Sequence, residues 1–168
     1  MSREILFRAK KVDGGEWVEG YIVKKQGTYF LYDINNSDTC RQNNYLIDED
    51  TICQYTGLTD WNGEKIWEND IFKCRVFDKH ALIKYGTYQI GFDSRVFTNV
   101  GLYANWLESS SVKLRKDLGY WVNVEEIEII GNIFDNPELL EEEGIMSNNK
   151  CCGTCKYHHH EDIDAGWV

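Results

Sequence analysis

The chain is short of proline, with one residue, Pro137, among 168. It is also short of positive charge: 18 Lys and Arg stand against 28 Asp and Glu, a net charge of −10. The first scarcity argues against a Pro-rich linker or low-complexity protein. The second excludes a protein whose main task is gripping phosphate backbones, because that affinity rests on Lys and Arg displacing counterions. No apolar run is long enough to cross a bilayer. The start, Met1-Ser2-Arg3-Glu4, lacks the apolar core of a secretory leader. The expectation is therefore a soluble, intracellular chain.

Catalytic side chains are scarce too. Before residue 150 the only histidine is His80. A Cys74–His80 pair on adjacent strands would lack an oxyanion hole and a third partner. There is no phosphate-cradling glycine loop, no nucleophile elbow and no His-Glu-x-x-His. Glu125-Glu126 and Glu141-Glu142-Glu143 read as solvated faces. The chain is not expected to be an enzyme.

Aromatics are abundant: ten Tyr, seven Phe and six Trp, 14% of the chain, with fourteen Gly. Aromatic and β-branched residues suit a pleated, half-buried surface, and sparse proline with spaced glycine suits sheets joined by tight turns. Alternation predicts strands over residues 5–10, with Ile5, Phe7 and Ala9 on one face, and over 16–23, 28–32, 45–47 and 52–55. Further strands follow over 66–76, with Asn69-Asp70 as a bulge, and over 80–85, 87–92, 95–97 and 127–134. Turns fall at Asp13-Gly14-Gly15, Gln26-Gly27 and Asn62-Gly63. Residues 102–107 and 112–118 fit either a short helix or an irregular insertion. Asn136-Pro137 opens a short helix, with Asn136 as N-cap. The fold class is all-β, a small barrel or roll with a short C-terminal helix and a Cys/His-rich tail. Residues 1–140 form the domain, 141–150 an acidic linker and 151–168 the tail.

Cys40, Cys53 and Cys74 are scattered and read as buried small hydrophobes. The tail holds the one metal-like cluster. Cys152-x-x-Cys155 has zinc-knuckle spacing, with Cys151 as an alternative, and Cys152, Cys155, His158 and His160 are the candidate ligands. Only two residues separate Cys155 from His158, well short of the usual dozen or so between ligand pairs. Apart from that zinc, no cofactor is expected. The candidate binding residues are Tyr85, Tyr88, Arg95, Trp106, Lys113 and Arg115, because aromatics interleaved with cations stack bases and hold phosphates.

Three blocks resemble the YopX-like proteins of phages and prophages. The first is Phe7-Arg8-Ala9-Lys10, then Trp17-Val18-Glu19-Gly20-Tyr21 and Tyr29-Phe30-Leu31. The second is Gln54-Tyr55-Thr56-Gly57-Leu58-Thr59-Asp60 with Asn62-Gly63, Ile66, Glu68 and Asp70-Ile71. The third is Ile130-Gly131-Asn132-Ile133 with Asn136-Pro137-Glu138-Leu139-Leu140. The resemblance spans about residues 3–140 and implies an SH3-like β-barrel and a phage or mobile-element origin. It implies no activity. The motif residues also read structurally: Gly57, Asn62 and Gly63 form turns, Gln54, Thr56 and Asp60 bind loop backbone, and Asp70 caps backbone donors.

The expected function is that of a non-catalytic phage accessory protein in the bacterial host cytoplasm, binding and inhibiting a host protein such as an immune factor. An acidic surface suits a partner with a basic face. The alternatives are a homo-oligomeric sponge for a nucleotide signal and a nucleic-acid-associated phage regulator. Membranes are not expected as partners, nor is nucleic acid as a direct one.

Overall fold

A computed structural model describes residues 4–33, 44–75, 79–92, 95–106, 117–124 and 127–140. The expected tail and linker, with Cys151, Cys152, Cys155, His158 and His160, lie outside the described residues, as do Lys113, Arg115 and Cys40. Among the described residues no helix is long and apolar enough to cross a membrane.

Among the described residues ten strands form two antiparallel sheets. In chain order they are β1 (Phe7–Lys10), β2 (Trp17–Lys25), β3 (Thr28–Asp33), β4 (Asn44–Leu46), β5 (Cys53–Thr59), β6 (Lys65–Trp67), β7 (Asp70–Cys74), β8 (Lys79–Phe92), β9 (Arg95–Trp106) and β10 (Ile127–Asn132). A helix α1 (Leu118–Val124) precedes β10, and 3₁₀ turns occupy Glu49–Thr51 and Pro137–Leu140. The first sheet runs β4-β3-β2-β1-β5-β6 and the second β10-β7-β8-β9.

The all-β expectation holds, and the local chemistry explains the turns. Gln26 and Gly27 both have positive φ, 50° and 83°, the geometry whose twist matches a two-residue hairpin between β2 and β3. Gly20 is required for a different reason. A Cβ there would lie 1.7 Å from the Tyr32 carbonyl oxygen, inside any permitted contact.

Three expectations need correction. The strand expected over 66–76 is two strands in different sheets, β6 and β7, divided by a turn at Glu68 and Asn69. Asn69 takes a left-handed φ of 66°, which its short polar side chain tolerates. The first strand begins at Phe7: Leu6 is fully buried, while Ile5 is exposed. Residues 102–106 continue β9 as strand, because each pairs with a β8 residue, from Leu102 opposite Tyr85 to Trp106 opposite Ala81. The helix at Leu118–Val124 has no counterpart in the sequence reading.

The core divides by sheet. Ala9, Val18, Leu31 and Ile47 pack together in the first sheet, and Leu6, Cys53, Tyr55 and Trp67 pack beside them. In the second sheet, Phe72, Cys74, Ala81, Ile83 and Ala104 meet Leu118 and Trp121 of α1. On its opposite face Ile71 and Leu82 meet Ile133, Leu139 and Leu140. The base of this sheet is thus covered on both faces. Cys53 and Cys74 are both buried free thiols.

Replacing Gly20 with Ala should cost about 2–3 kcal/mol, because β2 or β3 must shift to admit the methyl group. Urea denaturation of the two proteins measures this, and an unchanged midpoint would contradict the geometry.

Candidate functional site

The residues that carry the three sequence blocks converge on a polar seam between the sheets. Asp70, only 1% exposed, accepts the Arg8 guanidinium from β1 through Oδ1 and the Trp67 N–H through Oδ2 at 2.8 Å. The guanidinium lies over Trp17 at 4.7 Å and Trp67 at 5.4 Å, a cation–π sandwich. Burial pushes the Asp70 carboxyl up to about 6, against the opposing pull of Arg8 and the Trp67 N–H. Burial also raises the Cys53 thiol nearby.

Backbone bonds lock the same crossing. The Glu68 N–H donates to Gln54 in the first sheet at 3.0 Å, and the Asn69 N–H to Ile83 in the second at 2.9 Å. A second clamp is Asp135, which accepts from Lys10, from Trp17 Nε1 at 2.6 Å and from Asn132 Nδ2 at 2.9 Å. Its partial burial raises the carboxyl, but those three donors outweigh burial and hold it at about 2. A third is Asp60. It accepts from the Asn62 and Glu64 N–H groups, both at 2.9 Å, and from Ile129 of β10 at 3.2 Å.

The block residues thus serve structure. Thr56 Oγ1 donates to the Ile66 carbonyl at 2.8 Å. Gln54 joins Glu68 through its backbone rather than its side chain. Asn136 sits just before Pro137, as expected, but its Oδ1 accepts from Asn132 instead of capping the turn, and Gly131 leaves room for it. Sequence reasoning had marked Asp60, Thr56 and Asp70 as backbone caps. It missed the Arg8–Asp70 pair and the Asp135 clamp, whose partners lie 62 and 125 residues apart.

The exposed chemistry lies elsewhere. β8 and β9 pair in unbroken register from Ala81↔Trp106 to Phe92↔Arg95, whereas β7 accompanies β8 only as far as Leu82. Beyond Ile83 the hairpin has no other described strand beside it, so it forms a two-stranded arm. Such a ribbon is marginal by itself in water. Alternation sorts its side chains. Tyr85, Thr87 and Gln89 share one face with Leu102, Val100, Thr98 and Val96. Lys84, Tyr88 and Ile90 share the other with Tyr103, Asn99 and Phe97. The first face bears no charge, and Tyr85, Val96 and Val100 are 64%, 65% and 68% exposed.

The expected binding residues do not line one pocket. Tyr85 is exposed on the uncharged face. Tyr88, on the opposite face, stacks on Tyr103 with centroids 5.3 Å apart and donates to Asp117 at 3.4 Å. Burial and the Asp117 carboxylate push its phenol up. Arg95 is exposed at the far end, and Trp106 packs at the base between Phe72 and Trp121, at 5.6 and 4.7 Å. Cys74 and His80 lie on opposite faces, since His80 pairs across from Lys73. Among the described residues no three His, Cys, Asp or Glu side chains are placed to hold a metal.

Two other features compete with the arm. A groove of about 630 Å³ near β1 and β4 mixes Lys10 and Lys11 with Asp48 and Glu49, so it presents no single sign of charge. Tyr21, Val23, Tyr32 and Leu46 are exposed on the first sheet, but Glu19 and Lys25 share that face.

In comparison with known proteins, the family described as "YopX protein" matches residues 6–141. No curated protein matches the chain significantly. The crystal structure of protein EF1440 from Enterococcus faecalis is similar at 22% identity, covering 83% of this chain and 100% of that chain, with a TM-score of 0.40.

The raised Asp70 carboxyl sets a pH dependence. Between about pH 4 and 6 the folded chain keeps a proton that the unfolded chain has released, so this group's contribution to stability falls as pH rises. Relative to Asp70→Asn, the native chain should lose about 2–3 kcal/mol between pH 4 and 7. Urea unfolding of both proteins at the two pH values measures it; a difference that stays constant would contradict the assignment.

Proposed function

We propose a binding role for this chain, which belongs to the YopX protein family: it is a phage-encoded accessory protein that captures and inhibits a host protein without catalysis. The observation that carries this reading is the uncharged face of the β8–β9 arm, with Tyr85, Val96 and Val100 exposed. Soluble proteins seldom leave such a surface in water unless something docks there. Interface cores are depleted of charge and use aromatic anchors, the composition of this face.

The remainder of the molecule supplies a base and a field. In this proposal the strands of residues 1–140 form the SH3-like barrel that the family resemblance implies, and the arm projects from it. A net charge of −10 steers the chain toward a partner with a basic surface, in the cytoplasm of the bacterial host. Tyr85 belongs to the proposed contact, and Arg95, exposed at the far end of the arm, borders it.

The test uses the full chain and any host protein it captures. Tyr85→Ala and Val100→Asp should each weaken that complex by about tenfold or more, chiefly through faster dissociation. Tyr32→Ala, on the first sheet, should change it by no more than about twofold. The association rate should fall as ionic strength rises, because steering is screened over a Debye length of about 8–10 Å. Arm variants that bind as tightly as the native chain would overturn the reading. A nucleotide that raises the melting temperature by binding the folded state would then favour the sponge.

A further inference from the structure

We propose that two copies of this chain join edge to edge along β9, antiparallel, about a two-fold axis at Thr98. The inference goes beyond host-protein capture and does not depend on it.

β9 is the edge of the second sheet. Among the described residues its outer side makes one bridge, Tyr103↔Asp117. From Arg95 to Gly101 no described strand lies beside it, so among the described residues that segment presents a row of backbone donors and acceptors without a strand partner. Natural edges are usually blunted by Lys, Pro, a bulge or a cover. Residues 95–101 contain no Lys and no Pro, and their register with β8 has no bulge. The one charge is Arg95, at the end.

The sequence of this edge fits itself. Residues 95–101 are centred on Thr98, and Val96-Thr98-Val100 reads the same in both directions on the uncharged face. An antiparallel pairing about Thr98 sets Val96 against the second copy's Val100, Thr98 against Thr98 and Phe97 against Asn99. Val–Val and Thr–Thr are favourable cross-strand pairs. Arg95 falls opposite Gly101, so the two guanidinium groups stand at opposite ends of the ladder. Charge also selects this edge. In a chain of net charge −10, the described arm residues beyond Ile83 carry Lys84 and Arg95 and no carboxylate. Two copies meet there without opposing acidic groups.

The pairing makes one eight-stranded sheet, β10-β7-β8-β9 followed by its symmetry mate. It supports each two-stranded arm with a neighbour, and it leaves the face of Tyr85 and Thr87 free on both copies. A single strand pairing buries a modest area, so a dissociation constant of about 1–10 µM is expected.

Sedimentation velocity of the full chain from about 1 to 200 µM should show monomer giving way to dimer. Thr98→Lys places two ammonium groups against each other on the axis and should raise the dissociation constant about 30-fold or more. Gln89→Lys, across from Thr98 on β8 and away from the edge, should change it by about threefold or less. Thr98→Cys should oxidise to a 98–98 disulfide, since opposed residues have Cα atoms about 4.5–5.5 Å apart. Peptide mass spectrometry separates that link from those of the native thiols, and decides the matter if Thr98→Lys fails to fold. A monomer at every concentration would overturn the proposal. So would a dimer indifferent to Thr98→Lys that gives no 98–98 link.

Discussion

The ion pair between Arg8 and Asp70 fixes how the two sheets meet. One partner sits on the central region of the first sheet and the other opens β7 of the second. Burying such a pair is costly, and breaking it is costlier, because removal of one partner strands a charge away from water. The surroundings offset part of that cost. Trp17 and Trp67 face the guanidinium, and the Trp67 N–H occupies the second carboxylate oxygen. The turn at Glu68 and Asn69 is bound to both sheets at the same point. The chain therefore has little freedom to slide one sheet over the other.

From that locked base the rest of the architecture follows. Asp135 ties the C-terminal turn to β1 and β2, and Asp60 ties the β5–β6 turn to β10. These clamps bring Leu139 and Leu140 onto one face of the second sheet, while α1 covers the other. Both covers stop near Leu82, Ile83 and Ala104. The β8–β9 ladder continues past them, and its core-facing alternation continues with it, now into water. The exposed Tyr85, Val96 and Val100 are the prolongation of the row that contains Ile83 and Ala104. That continuity gives, among the described residues, a locked base and an arm with one exposed, uncharged face.

Much of this was legible in the sequence. Alternation and turn chemistry revealed most strands, because a period of two and an Asn-Gly or Gln-Gly turn are local signals. The block around Asp60 announced its Asn62-Gly63 turn for the same reason. What failed was non-local. Nothing near residue 69 says that its two flanking strands enter different sheets, since that depends on contacts with Gln54 and Ile83. The Leu118–Val124 helix is too short to show a period, and its identity depends on Trp121 reaching Phe72 and Trp106 across the sheet. The binding candidates were found by residue type alone. Alternation could have shown that Tyr85 and Tyr88, three apart on one strand, face opposite ways. It could also have shown that residues 84–103 hold few charges in an otherwise charged chain.

The central claim is that the clamped sheets serve as scaffold and the arm makes contact with other proteins. Hydrogen–deuterium exchange of the full chain, alone and with a captured host protein, tests it most directly. The account predicts added protection of amides within residues 84–103, with those of β1 to β3 exchanging as they do in the free chain. Protection gained along β1 to β3 with the arm unaltered would contradict it.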